Sequence, residues 1–279
     1  MGGVLLEYNG YEIIRSDDYR LAHFYEVKDN IFNLLENQYL LIEDTHGRIA
    51  DSYVLQDGSF KKVPYVKFDN AFTGTIKPRN PQQEILFDML ADNRTTIKLV
   101  GGGFGCGKTF SLVVAALDAL AKGKFEKIVW VRNNIEVKDT TPLGSLPGDS
   151  FSKLLPFAMP LADHCGGVEG LQHLIEQDQL EIVHLGFLRG RDIKNSIILC
   201  SEAENLTKQH IQLLIGRVGE GSNLWMDADL KQRDKTAFEK SAGLELMIER
   251  LKGNDLFGYV KLLKTERSET ARLADLLDD

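Results

Sequence analysis

Residues 102–109 read GGFGCGKT, directly after the apolar run KLV and directly before KTFSLVVAALDAL. The spacing G-x-x-x-x-G-K-[ST], set between a strand and a helix, constrains the fold more than any other feature of the chain. Glycines let successive backbone N–H groups turn inward on an anion without Cβ clashes, and the following helix points its positive end at the same place. A nucleoside triphosphate suits such a turn. Lys108 would neutralise the β- and γ-phosphates and Thr109 would offer its hydroxyl to Mg²⁺. Gly102, Gly103, Phe104, Gly105, Cys106, Gly107 and Phe110 complete the expected ATP-binding segment. A glycine-rich turn without function is the bland alternative, and the strand and helix on either side argue against it.

Around this turn the pattern alternates between strands and helices. Strands are expected at 97–100, 127–131, 181–185, 197–200, 223–227 and 259–263. In the stretch 207–218, Ile211, Leu214, Ile215 and Val218 share one helical face behind Thr207 as N-cap. The expectation is an α/β fold with a mostly parallel sheet covered on both faces. Upstream, DNIFNLLEN at 29–37 reads as a short helix. QYLLIED, HGRIADSYVL and SFKKVPYVKF then read as a small antiparallel β meander with turns at THG and QDGS. The turn-rich GTIKPRNP at 74–81 places a junction between an N-terminal α+β subdomain, 1–76, and an ATPase domain, 77–279. Four of the seven prolines fall between Asp139 and Leu161, which reads as a long irregular connection of the kind that is usually functional.

A second constellation is IILCSEAEN at 197–205, an apolar strand running into acidic residues. Glu202 is the candidate base for the attacking water. The alternative is that Glu202 and Glu204 only start a solvated helix in a favourable dipole. NLWMDADLKQRD at 223–234 ends in Asp229 and Gln232, which could sense the γ-phosphate. Arg189, Arg191 and Lys194 surround a glycine in FLRGRDIK, and Lys231, Arg233 and Lys235 follow the sensor strand. Each cluster could position a nucleic-acid backbone or be an ordinary charged face. Arg217 and Arg267 are candidate arginine fingers, with structural ion pairs as the alternative.

The net charge of -8 argues against bulk coating of nucleic acid, so any such contact must come from a focused patch. No apolar run approaches the roughly 18 residues of a membrane span, and the N-terminus resembles no targeting leader. The cytoplasm is the expected location. Cys106, Cys165 and Cys200 are expected as reduced thiols, and the six histidines lack metal-ligand spacing.

Several segments together resemble the PhoH family of P-loop ATPases: PRNPQQ at 78–83, GGFGCGKT, GSLPGD at 144–149 followed by KLLPFAMPL, LGFLRGRDIKNS at 185–196, SEAEN and DADLKQRD. The resemblance covers roughly Lys77 to the C-terminus. It implies a RecA-like core related to superfamily-one helicases, ATP hydrolysis with Mg²⁺, ring assembly, and action on RNA in relatives that carry a PIN nuclease upstream. Residues 1–80 are too short to be expected to hold that nuclease, although the QYLLIED region resembles the segment joining nuclease to ATPase in those fusions. By motif, Gln83 would recognise adenine, and Asp229 and Gln232 would match a GDxxQ element in which Ala228 replaces glycine. Ser201 stands where the family's DEAQ sequence has the aspartate that holds Mg²⁺ through water, and Glu204 replaces its glutamine. The Ser201 hydroxyl can still hydrogen-bond a metal-bound water and is expected to hold Mg²⁺ in that way, but it adds no charge, so Glu202 and Asp229 are left to supply the negative field.

One phosphate loop and about 200 residues after the junction suffice for one RecA-like half. A neighbouring copy must then complete the site, with Arg267, or else Arg217, reaching the adjoining γ-phosphate in a ring that is expected to be hexameric. The leading expectation is an ATP-driven helicase or translocase on single-stranded RNA or DNA. The alternatives are an ATPase switch acting on a protein partner and a small-molecule P-loop kinase.

Overall fold

The computed structural model describes residues 8–132, 150–229 and 243–265. The chain opens with strand β1 (Tyr11–Arg15) and helix α1 (Arg20–Val27), followed by β2 (Tyr39–Glu43), β3 (Ile49–Gln56) and β4 (Ser59–Lys62). These strands form one sheet in the order β1-β2-β3-β4. The expected meander is β2-β3-β4, and β1 adds to it in parallel. In β2 side chains alternate between two cores. Leu40 and Ile42 face Phe24 of α1, while Tyr39 and Leu41 join the main core.

Two expectations for this region are corrected. Residues 29–37 form turns rather than a helix, because the Asn30 side chain both accepts from the Leu34 N–H and donates to the Leu34 carbonyl, each at 2.9 Å. Asn33 and Asn37 also adopt positive φ. Short polar side chains offer the backbone this alternative to a helix. The third extended run is broken as well. Beyond Pro64 the chain starts a separate antiparallel hairpin, β5 (Phe68–Asn70) and β6 (Gly74–Ile76), which lies against a helix of the main core and gives the Asp69 N–H to Asp118. Proline has no N–H for the ladder, which fits a break there.

The rest alternates as expected: α2 (Pro81–Ala91), β7 (Ile97–Gly102), α3 (Lys108–Ala121), β8 (Lys127–Arg132), α4 (Ser150–Ala162), α5 (Gly167–Glu176), β9 (Leu180–His184), β10 (Ser196–Cys200), α6 (Lys208–Ile215), β11 (Asn223–Ala228), α7 (Gly243–Leu251) and β12 (Phe257–Leu262). The six strands from β7 to β12 make one all-parallel sheet in the order β12-β7-β11-β10-β8-β9. Both faces are buried. In β8, Ile128 and Trp130 join the core that holds α2 to α5, whereas Val129 and Val131 join the core that holds α6 and α7. Thr207 caps α6, accepting the His210 N–H.

Where residues 139–161 read as an irregular connection, the part from Ser150 onward is helix α4, with Pro156 and Pro160 inside it. Proline costs a helix about 3 kcal/mol. Here Ala158, Leu161 and Ala162 are buried in the main core, and the Trp130 indole N–H donates to the Phe157 carbonyl at 3.1 Å. Tertiary packing therefore outweighs propensity. Residues 133–149, with GSLPGD, lie outside the described residues.

Candidate functional site

Because all six strands run parallel, their carboxyl ends share one edge, where open α/β sheets bind ligands. The turn 102–109 leaves that edge from β7. Strand β11 lies between β7 and β10, so the acidic ends of β10 and β11 stand beside the turn. Gly107, at φ 82°, supplies the left-handed conformation from which α3 starts, and no side chain caps its first N–H groups. Uncapped amides at a helix start suit an anion. The Lys108 ammonium donates to the carbonyls of Gly102 and Gly103, each at 2.8 Å, which folds the lysine over its own turn. Cys106 is buried on the inner side of the turn, and the Phe104 ring is 64% exposed at its tip.

Gly102 adopts φ 147°, and a Cβ there would lie 2.5 Å from the Leu262 carbonyl oxygen on β12. The turn therefore packs on the sheet edge through a glycine that no other residue replaces without displacement. Gly102→Ala should lower unfolding stability by about 2 kcal/mol or more, read as a shifted urea midpoint at unchanged slope.

Next to the turn lies a cleft of 660 Å³ lined by Thr75, Ile76, Lys77, Gln83, Phe87 and Phe110 among others. Its wall comes from two places in the chain. Asn80 caps α2 by accepting the Gln83 N–H, Pro81 opens the helix, and the Gln83 side-chain Oε1 accepts the Arg79 N–H at 2.9 Å. The Gln83 amide nitrogen thereby points toward Gly107, 3.7 Å from where a Cβ on that glycine would stand. Phe110 packs edge-on against His164. The hairpin residues Thr75 and Ile76 were not among the residues expected at the site. The turn chemistry of 74–81 gave a boundary signal, and only the hairpin's fold onto α3 turns that boundary into a wall.

The acidic end is denser than its sequence suggests. Ser201 and Asp227 are both 2% exposed, and Asp229 is 6% exposed. Glu202 takes a left-handed backbone (φ 55°), which presents its N–H to the Asp227 carboxylate at 3.1 Å. Its own carboxylate, about half exposed, pairs with the Arg132 guanidinium at the end of β8. Arg132 also went unrecognised in the sequence, since it closes an otherwise apolar strand without a motif. Glu204 accepts the Asp229 N–H at 3.3 Å, and burial pushes its carboxyl above the usual range. Burial likewise raises the Asp227 carboxyl, against the opposing influence of the Glu202 N–H, the Thr109 hydroxyl, the Lys108 ammonium and the Ser201 hydroxyl. Among the described residues no group of three or more His, Cys, Asp or Glu side chains could hold a metal ion by itself.

The basic cluster at 189–194 divides. Arg191 makes a two-pronged ion pair with Glu181, at 2.7 and 2.8 Å, and its carbonyl accepts from Arg217 at 3.0 Å. Lys194 lies 3.4 Å from Asp192, and Arg189 is exposed. Arg191 and Arg217 are thus engaged within the fold. Gln232, Arg267, Lys231, Arg233 and Lys235 lie outside the described residues. Among the described residues the three cysteines are free and buried, and no helix is long and apolar enough to cross a membrane.

Residues 75–274 match the family described as PhoH-like protein. Protein PhoH2 of Bacillus subtilis is 31% identical over 97% of this chain and 64% of its own length. A PhoH-like protein of the same organism is 35% identical over 59% of this chain and 52% of its own. Protein PhoH of Escherichia coli K12 is 27% identical over 71% of this chain and 56% of its own. The chain thus spans roughly half to two thirds of the length of these relatives.

Proposed function

Because this chain belongs to the PhoH family, a family of P-loop ATPases, we propose that it binds ATP with Mg²⁺ in the turn 102–109 and hydrolyses it to drive movement along single-stranded RNA or DNA. The observation that carries the proposal is the turn itself: uncapped amides at the start of α3 and the Lys108 ammonium converge at the sheet edge where the acidic ends of β10 and β11 emerge. Lys108 exchanges the carbonyls of Gly102 and Gly103 for phosphate oxygens. Gln83, at the wall of the adjoining cleft, holds the adenine. The Thr109 hydroxyl and the buried carboxylate of Asp227 would hold the metal, and a hydroxyl with one carboxylate fits Mg²⁺. Bound there beside the phosphates, Mg²⁺ would supply positive charge against the negative charge that develops in the reaction. Glu202 orients the attacking water and takes its proton. A neighbouring copy in a ring, proposed as a hexamer, adds the arginine that one RecA-like half lacks.

ATP turnover measured with and without single-stranded RNA and DNA tests this reading. Nucleic acid should stimulate hydrolysis several-fold, and sedimentation should show an oligomer. A fully active monomer would contradict the ring. Turnover indifferent to both nucleic acids would favour a switch acting on a protein partner, a reading supported by the acidic charge balance and by the engagement of Arg191 with Glu181. A phosphorylated small molecule among the products would instead identify a kinase.

A further inference from the structure

At the end of β10, where a carboxylate beside Thr109 would help to hold Mg²⁺, the chain has Ser201. One strand over, the fold supplies a carboxylate. Asp227 is 2% exposed, and its Oδ1 accepts the Glu202 N–H at 3.1 Å and lies 3.5 Å from the Ser201 hydroxyl. Its Oδ2 is buried and has no hydrogen-bond partner among the described residues. Strand β11 pairs with β7, whose end opens the phosphate turn, so the carboxylate stands at the foot of that turn; burial raises this carboxyl, and the Glu202 N–H, the Thr109 hydroxyl and the Lys108 ammonium oppose that.

Strand register explains the proximity. Cys200 pairs with Met226, so the next step along the parallel pair brings Ser201 opposite Asp227. A carboxylate can therefore pass from one strand end to the other while moving only a few ångströms. A buried carboxylate oxygen without a donor is costly, and such groups in native structures call for a reason, an ion among them. The three other carboxylates nearby are placed differently. Glu202 is paired with Arg132, Glu204 accepts from the Asp229 backbone, and Asp229 lies past the end of β11.

We infer that Asp227 is the residue that positions Mg²⁺ in this chain, taking over across the strand pair the charge absent at Ser201. The inference rests on the reading that the turn 102–109 holds ATP. It assigns the negative charge to Asp227 in place of the Glu202 and Asp229 field expected from sequence. Ser201 keeps a hydroxyl's part, holding the Asp227 carboxylate in place.

The test is the affinity of a fluorescent, non-hydrolysable ATP analogue in excess Mg²⁺ and in EDTA, with thermal melts alongside. Wild type should bind more tightly with Mg²⁺. Asp227→Asn should retain the EDTA affinity, lose about 10- to 100-fold of the Mg²⁺-dependent gain, and melt no lower than wild type, because it removes a buried charge without changing shape. Ser201→Ala should keep most of the gain. The double variant Ser201→Asp with Asp227→Ser should recover it, and decides the matter should Asp227→Asn not fold. A wild-type Mg²⁺ gain in Asp227→Asn, an equal loss in Ser201→Ala, or no gain in a folded double variant would overturn the inference. If wild type binds no analogue in either condition, the ATP reading itself has failed and the inference falls with it. A wild type that binds equally with and without Mg²⁺ leaves that reading standing and sinks the inference alone.

Discussion

Replacing Lys108 by alanine should reduce ATP turnover by about 10²- to 10³-fold or more, the scale seen when a preorganised charge or donor is removed from a reacting group. The variant should fold normally. Among the described residues the ammonium's hydrogen bonds go to the carbonyls of Gly102 and Gly103, within its own turn, and α3 behind it is held by a continuous buried surface from Ser111 to Leu120. The loss should appear in nucleotide affinity as well as in turnover, because a positive charge on the triphosphate acts before and during the reaction. Circular dichroism and melting temperature close to wild type, together with loss of binding, would separate this outcome from misfolding. Wild-type turnover in the variant would remove Lys108 from the site.

Glu202→Gln should behave differently. The amide fills the same space, but it cannot take a proton from water, so hydrolysis should fall by about 10²- to 10⁴-fold while the nucleotide still binds. The backbone of Glu202 serves a second purpose, since its N–H donates to Asp227. That N–H survives the substitution, and the Asp227 carboxylate should therefore stay in place. The ion pair with Arg132 is what the side-chain change does disturb. Single-turnover phosphate release with parallel binding of a fluorescent analogue distinguishes lost chemistry from lost affinity. Steady-state hydrolysis at the wild-type rate would show that another group activates the water.

Much of the architecture is legible in the sequence because its strongest signals are local. The apolar strands from Ile97 to Leu262 are buried on both faces, so they read as continuous hydrophobic runs, and the glycine turn identifies itself by spacing alone. Misread elements are those in which a side chain or distant packing outweighs propensity. Asn30 bonds to the Leu34 backbone in place of a helix, and Pro156 and Pro160 sit inside α4 because its buried face docks on the main core. The candidate site divides in the same way. Gly102 to Thr109, Glu202 and Gln83 announce themselves through motif and context. Asp227 and Arg132 do not. Each ends or nearly ends an apolar strand, and its relation to Ser201 or Glu202 arises from the pairing of β10 with its two neighbours β11 and β8. A sequence orders residues along one strand, whereas this site is assembled across the ends of β7, β8, β10 and β11.

The central claim is that the turn from Gly102 to Thr109 grips the triphosphate of ATP. A crystal structure grown with Mg²⁺ and a non-hydrolysable ATP analogue tests it most directly. The β-phosphate should sit among the backbone N–H groups of the turn, with the Lys108 ammonium on the phosphates and the base in the cleft beside Gln83. An analogue bound at another surface of the chain, with Lys108 still folded onto the carbonyls of Gly102 and Gly103, would contradict the claim.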